Sequence, residues 1–174
     1  AGIAQMLVVT TGRGAIDLSI PGMITLGAYT SMGICNGSNA MIIPALLVVL
    51  LEGLVIGALN SAMVIWLKIP AIIATMAMNY IIVTGTMLID HNFNVFTIPS
   101  FLETLTTYRI ATVPIIVVLV ILLAVLVNFL LTATTYGKSL LALGQNKEAA
   151  RLAGVRVVKV EMVTYMAAAA LAGL

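Results

Sequence analysis

The chain has 174 residues, of which 62% are hydrophobic and only 8% charged, and its mean hydropathy is +1.20. Water-facing domains carry roughly a quarter charged residues, so this composition excludes a soluble domain and points to a membrane protein, with no nucleic-acid partner expected; the net charge of +2 says little by itself. At about 20 apolar residues per crossing, the length fits an all-α polytopic transmembrane helical bundle of about five to six helices, forming one domain over residues 1–174.

In chain order, AGIAQMLVVT is half a span, without the basic start or cleavage site of a secretory signal. Both ends are read as cut, because the chain opens on Ala1 and its last stretch, EMVTYMAAAALAGL, stops while still apolar. TTGRGAIDLS, residues 10–19, then interrupts the apolar sequence with two glycines, Arg13 and Asp17. Irregular backbone at membrane depth needs cover from protein or a water-filled cavity. Two readings stand: a pathway-lining break with Asp17 and Ser19 facing a solute, or a turn at the cytoplasmic edge with Arg13 obeying the charge bias. The shortness of the next span, residues 18–35, favours the turn. The lone Cys35 permits no internal disulfide and sits in no metal-ligand spacing.

Residues 41–67 form the next apolar run. Glu52 lies about 17 Å along it, at roughly 1.5 Å per residue, near mid-membrane. An intramembrane acid is a functional hypothesis by default, and a protonated Glu hydrogen-bonded to a neighbouring helix is the equal alternative. Gly53, Gly57, Asn60 and Ser61 follow i, i+4, i+7, i+8, a small-residue stripe expected to let another backbone approach closely; Asn60 is also a pathway candidate. On the span at 71–89, Thr75, Asn79 and Thr86 recur at i, i+4, i+11. Such a stripe suits a hydrophilic solute's track or ordinary interhelical hydrogen bonding, and both readings remain open. The ten methionines are flexible filler for helices that repack, not a metal site.

The segment DHNFNVFTIPSFLETLTTYR is expected to form a short amphipathic piece anchored by Phe93, Phe96 and Phe101, placed where a solute-binding protein would meet it. His91 is lone, which argues against a catalytic or metal role. A further span covers 113–134, and an incomplete one runs from 160 onward. Orientation follows from the cations between residues 136 and 161, where Lys138, Lys147, Arg151, Arg156 and Lys159 face only Glu148 and Glu161. The 90–112 loop holds Arg109 against Asp90 and Glu103. By the positive-inside bias the first loop is cytoplasmic and the second external. Counting back puts Lys68 at the cytoplasmic edge and residues 36–40 in an outer turn.

Within the cytoplasmic loop, residues 136–159, Asn146 is a good N-cap, Glu148 suits the positive helix end, and Gly154 stands where a helix stops in the left-handed conformation. A helix of about two turns is expected over 147–153. Isolated helices under roughly 12 residues are marginal in water, yet this one exposes Ala149, Leu152 and Ala153 on one face, flanked by Arg151 and Arg156. The ridge fits a groove in a partner, or the helix lies on lipid headgroups with its arginines on phosphates.

EAARLAG, residues 148–154, resembles the EAA-then-Gly signature of permease subunits of bacterial binding-protein-dependent ABC importers. Its setting, YGKSLLALGQNKEAARLAGVRVVKVEMVTY, resembles the ribose-type, simple-sugar branch. IDLS at 16–19 followed by ITLGAY, GALNSAMV at 57–64 and IPAIIATMAM at 69–78 extend the resemblance over residues 14–174, in the matching order. The chain departs from the family where Gly14-Ala15 replaces Gly-Gly and Ile20-Pro21-Gly22 replaces Val-Gly-Ser; Pro21 still suits a helix's first turn.

The resemblance implies that the loop is a coupling helix docking into a cytoplasmic ATPase, with Glu148, Ala149, Ala150 and Gly154 as the signature and Arg151 a rim contact. It implies ATPase subunits, a second permease copy or homologue, an extracytoplasmic binding protein and membrane lipid as partners, in the bacterial inner membrane. No GxxxxGK[ST] loop occurs in the sequence, so no cofactor is expected on this chain, ATP and Mg belonging to the ATPase. The expected cargo is a small hydrophilic solute, most readily a pentose or hexose, with Asp17, Ser19, Asn60, Thr75 and Asn79 as pathway candidates. Nucleoside or branched-chain amino-acid import, and an ATP-independent carrier using Glu52 or Asp17 as a cation site, are the alternatives. An intramembrane enzyme is disfavoured, since the spans show no acid pair, Ser/His pair or ligand cluster.

Overall fold

A computed structural model describes residues 2–12, 16–90, 97–110 and 113–174. The expectations for Arg13, Gly14, Ala15, His91, Phe93 and Phe96 lie outside the described residues. The elements are α1 (Gly2–Val9), α2 (Ile20–Cys35), a 3-10 turn (Asn39–Met41), α3 (Ile42–Ile65), α4 (Ala71–Asp90), α5 (Ser100–Thr107), β1 (Arg109–Ile110), β2 (Val113–Pro114), α6 (Ile115–Ala133), α7 (Thr135–Gln145), α8 (Lys147–Leu152) and α9 (Val157–Gly173). Helices dominate because lipid offers a backbone N–H or C=O no partner outside its own segment. Three stretches, Asn39–Ile65, Ala71–Leu88 and Ile115–Ala133, are long and apolar enough to cross a membrane. β1 and β2 form only a two-residue antiparallel ladder, Arg109 opposite Pro114 and Ile110 opposite Val113.

The closest helix pair is α3 with α9, and two glycines make that approach possible. A Cβ added to Gly53 would lie 2.4 Å from the Ala170 Cα, and one added to Gly57 would lie 2.5 Å from the Met166 Cα and the Tyr165 carbonyl oxygen. The small-residue stripe is therefore a backbone-to-backbone seam, as its packing reading expects. Ala169 and Ala170 on α9 are buried and offer the glycines a flat opposing surface. Around this seam α2 packs on α3, α4 and α9, and α1 packs on α9. α6 stands apart, touching mainly α7, with only Val127 and Leu131 buried. Its outward aliphatic surface is untenable in water and ordinary against lipid or another transmembrane helix.

Side-chain ties show which turns share an end of the bundle. The Asn39 amide donates to Ser100 Oγ at 2.9 Å and its oxygen accepts from the Phe101 N–H at 3.1 Å, so the 36–40 turn and α5 lie together. At the opposite end, Gly12 and Gly144 are so close that a Cβ on Gly12 would meet the Gly144 oxygen at 2.7 Å. That end carries the five loop cations. The 36–40 turn and α5 thus lie at one end of the bundle and the loop cations at the other.

α5 forms a short helix within the expected amphipathic segment. The sequence reading did not separate α7, which fills the expected loop between α6 and α8. Thr134 breaks α6 in an extended conformation (φ −97°, ψ 156°), and its hydroxyl then accepts from the Gly137 N–H as the cap of α7. Leu140 and Leu143 fix α7 against the core.

Candidate functional site

The corner formed by α7, α8 and α9 is built by local chemistry. Asn146, extended at φ −156°, accepts the N–H groups of Glu148 and Ala149 through one side-chain oxygen at 3.1 and 3.0 Å. Two orphan donors at the start of α8 are thereby satisfied. At the other end Val155 N–H reaches the Ala150 oxygen and Gly154 N–H the Arg151 oxygen, both at 3.0 Å, with Gly154 at φ +83°. This is the double bond pattern that closes a helix through a left-handed glycine. Lys147 Nζ and Glu161 Oε1, 2.6 Å apart, tie the start of α8 to α9. A six-residue helix is thus clamped at both ends, which answers its inability to persist alone.

The clamp decides which side chains face outward. Glu148, Ala149, Arg151, Ala153 and Gly154 are exposed, and Leu152 is 89% exposed, the apolar summit of the ridge. Ala150 is 3% exposed and packs inward. The Ala150 side chain seats α8 on the core, where a larger residue would lift the helix. Leu152, which lay outside the signature residues, is the stronger contact candidate; its signal was an isolated leucine on a short polar helix.

The second set of candidates meets at the break before α2. Asp17 Oδ1 accepts the Ser19 N–H at 2.8 Å and the Ser19 hydroxyl, and the Asn60 amide donates to Ser19 Oγ at 2.8 Å. Thr75 Oγ1 accepts the Leu18 N–H at 2.9 Å, and Asn79 Oδ1 accepts the Gly22 N–H at 2.9 Å. Asp17, Ser19, Asn60 and Thr75 are all buried, and Asn79 is half-buried. The five pathway candidates are brought together, but their bonds go to one another and to the α2 N-terminus. Four of the five face protein, since an interrupted backbone inside a bundle must have its freed N–H groups satisfied by neighbouring helices. Asp17 Oδ2 and Asn60 Oδ1 remain buried without a protein partner.

The break lies near the cation-rich end, because Asn60 is five residues from the end of α3 and Thr75 four residues into α4. That agrees with an edge turn, sunk about one helical turn into the bundle. Beside it, a cleft of ≈ 280 Å³ lies between Thr11, Pro70, Lys147, Glu161 and Tyr165. Along α4, Thr86 bonds back to the Ile82 carbonyl at 2.8 Å. Glu52, half-buried at mid-helix, accepts from Thr30 on α2 at 3.1 Å through Oε1, while Oε2 has no protein partner. No group of three or more metal-ligating side chains occurs among the described residues.

The sequence pattern of the family described as branched-chain amino acid transport system / permease component matches residues 3–174. The chain belongs to this permease family. It is 33% identical over 163 residues to the autoinducer 2 import system permease protein LsrC of Shigella flexneri, a match covering 91% of this chain and 47% of that protein. The protein of the same name from Yersinia pseudotuberculosis serotype O:3 (strain YPIII) is 31% identical over 168 residues, covering 91% and 46%. That from Escherichia coli (strain K12 / DH10B) is 33% identical over 163 residues, covering 91% and 47%. The permease therefore spans about half the length of the curated relatives it matches. No solved structure matches it. Membership makes these residues part of a transport-system permease component, and the three long apolar helices are its candidate membrane crossings.

Proposed function

We propose that this permease moves a small hydrophilic solute inward, a monosaccharide or a sugar-like signal of the autoinducer 2 kind named in its relatives. A separate ATPase, with its own ATP and Mg, drives it through α8. The observation that carries the reading is the exposed ridge of Ala149, Leu152 and Ala153 beside Arg151, on a helix clamped at both ends. A clamped helix transmits force, whereas a frayed one absorbs it. The Lys147–Glu161 pair and the Gly154 turn pass any displacement of α8 to α9, and the glycine seam passes it to α3. The residues at the break act as the joint on which α2 is hung, beside the pathway rather than as solute ligands. A second permease copy and a binding protein received at the external end near α5 complete the assembly.

The test uses the full permease with its ATPase in proteoliposomes. Cysteines replacing Ala149 or Leu152 should crosslink to the ATPase chain, and Gly154→Arg should abolish ATP-driven uptake while the permease remains folded. Uptake driven by a proton gradient without ATP, or labelling of Leu152→Cys from the external face, overturns the reading. Among candidate solutes, ribose, autoinducer 2, nucleosides and branched-chain amino acids are to be compared by thermal shift of the companion binding protein.

A further inference from the structure

The joint at the start of α2 holds a carboxyl whose hydrogen bonds do not balance. Asp17 is 2% exposed, in the break between α1 and α2 and outside the three long apolar helices. Its Oδ1 accepts both the N–H and the hydroxyl of Ser19, while Oδ2 is buried with no protein partner. Two further orphans belong to the same cluster. Asn60, fully buried, donates its amide to the Ser19 hydroxyl and leaves its Oδ1 unpartnered, and the buried Tyr165 hydroxyl on α9 is unpartnered as well. Tyr165 lies within reach of the charges of both Asp17 and Glu161. The helices packed against α2 bring Asn60 and Ser61 from α3, Thr75 from α4 and Tyr165 from α9 to this place, and of these only Tyr165 titrates. Glu161 and Lys147 are bound to each other, and Asp17 makes no ion pair among the described residues.

We propose that Asp17 is a proton-binding site, carrying a hydrogen on Oδ2 at neutral pH, and that this proton is what allows the start of α2 to seat among α3, α4 and α9. A buried carboxylate oxygen with neither donor nor counter-charge costs far more than a buried neutral carboxyl, and a group so placed takes up a proton instead. Burial accordingly raises the Asp17 carboxyl from its ordinary value, against the lowering effect of the two bonds from Ser19. A protonated Oδ2 also becomes a donor in a cluster whose other unpartnered atoms, Asn60 Oδ1 and the Tyr165 oxygen, both accept. Loss of the proton leaves an unpaired charge in the joint, which water from the cleft beside Tyr165 relieves at the expense of the α2 attachment. The site rests on the packing around Asp17, not on the identity of the solute or the ATPase.

The experiment is infrared spectroscopy of the full permease in micelles at neutral pH, with Glu52→Gln in every sample because Glu52 Oε2 is also unpartnered. The carbonyl stretch of a protonated carboxyl, well separated from the carboxylate bands, should be stronger with Asp17 than in Asp17→Asn. Identical spectra in that region overturn the proposal. In a second arm the same two proteins are unfolded at a series of pH values. Asn is nearly isosteric with the neutral acid and accepts the same two bonds from Ser19, so the two proteins should be about equally stable near pH 5. The unfolded chain releases the Asp17 proton above about pH 4, whereas the folded chain keeps it. The folded-to-unfolded ratio of the Asp17 protein should therefore fall, relative to that of Asp17→Asn, by about tenfold for each pH unit until folded Asp17 itself ionises. Parallel pH profiles overturn the proposal. So does an Asp17→Asn protein that fails to fold, since the joint would then need the charge rather than the neutral acid.

Discussion

Gly57→Ala adds one methyl group where α3 and α9 touch backbone to backbone. The new Cβ would stand 2.5 Å from the Met166 Cα and the Tyr165 oxygen, while ordinary contact begins at 3.4 Å, so α9 must retreat by about 1 Å. Overpacking of this kind costs about 1–3 kcal/mol, and alanine's better helix propensity returns up to about 1 kcal/mol. A net loss of about 1–2 kcal/mol is expected. Gly53→Ala forces the same retreat one turn away, from 2.4 Å at the Ala170 Cα. Because one displacement serves both methyl groups, the double variant should lose less than the sum, about 2–3 kcal/mol. Gly85 on α4 supplies the control, since nothing lies within 4 Å of its added Cβ, and Gly85→Ala should be neutral or stabilise by up to about 1 kcal/mol. Equilibrium unfolding in mixed micelles measures all four proteins. If Gly57→Ala and Gly85→Ala shift stability in the same direction by the same amount, the seam does not depend on close approach and the force path from α9 to α3 loses its basis.

Thr75→Val should lose about 1–3 kcal/mol in the same unfolding assay, because it leaves the Leu18 N–H buried without its acceptor; Thr75→Ser should keep most of the stability, and an equal loss in both would argue against the bond. Asn146→Ala removes both acceptor bonds at the start of α8. A cost of about 0.5–2 kcal/mol falls on a six-residue helix, so ATPase stimulation by the permease should drop while global stability changes little; amide exchange at Glu148 and Ala149 reports the fraying. Gly154→Ala has steric room but must hold φ +83°, at about 1–2 kcal/mol, and the expected outcome is weakened coupling with near-normal micellar stability. Ala150→Leu should weaken ATPase capture as α8 is lifted from its seat, whereas Leu152→Ala should weaken capture with no change in the exchange rates of α8.

Much of the architecture was legible because each crossing is written as an uninterrupted apolar run, and its ends as Asn, Gly, Pro or a cluster of cations. Residues 71–89 against Ala71–Asp90 show how closely such runs give helix bounds. Asn146 and Gly154 announced α8 for a similar local reason, since cap chemistry needs only a few neighbouring residues. α7 escaped notice even though Gly137, Leu140, Leu143 and Gly144 carry a helical spacing, because Lys138 and the cations that follow α7 drew it into the loop.

Periodicity places Thr75 and Asn79 on one face but does not say whether that face meets a solute or a broken backbone. The arrival of residues 16–22, some 57 positions away in sequence, is what brings backbone N–H groups to that face. Ala150 is a similar case: the helix was foreseen, and its rotation was set by the helices against which it lies.

By itself, the sequence determined the solvent, the long apolar helices and the family, because hydrophobicity and capping act within a few residues of where they are written. Tertiary structure alone decided that Thr75 and Asn79 bond to the backbone around the start of α2, that Gly53 and Gly57 meet Ala170 and Met166, and that Ala150 faces in while Leu152 faces out. Those facts depend on which surfaces distant helices present to one another, and contact at van der Waals range between them is a property of the packed bundle rather than of any segment in it.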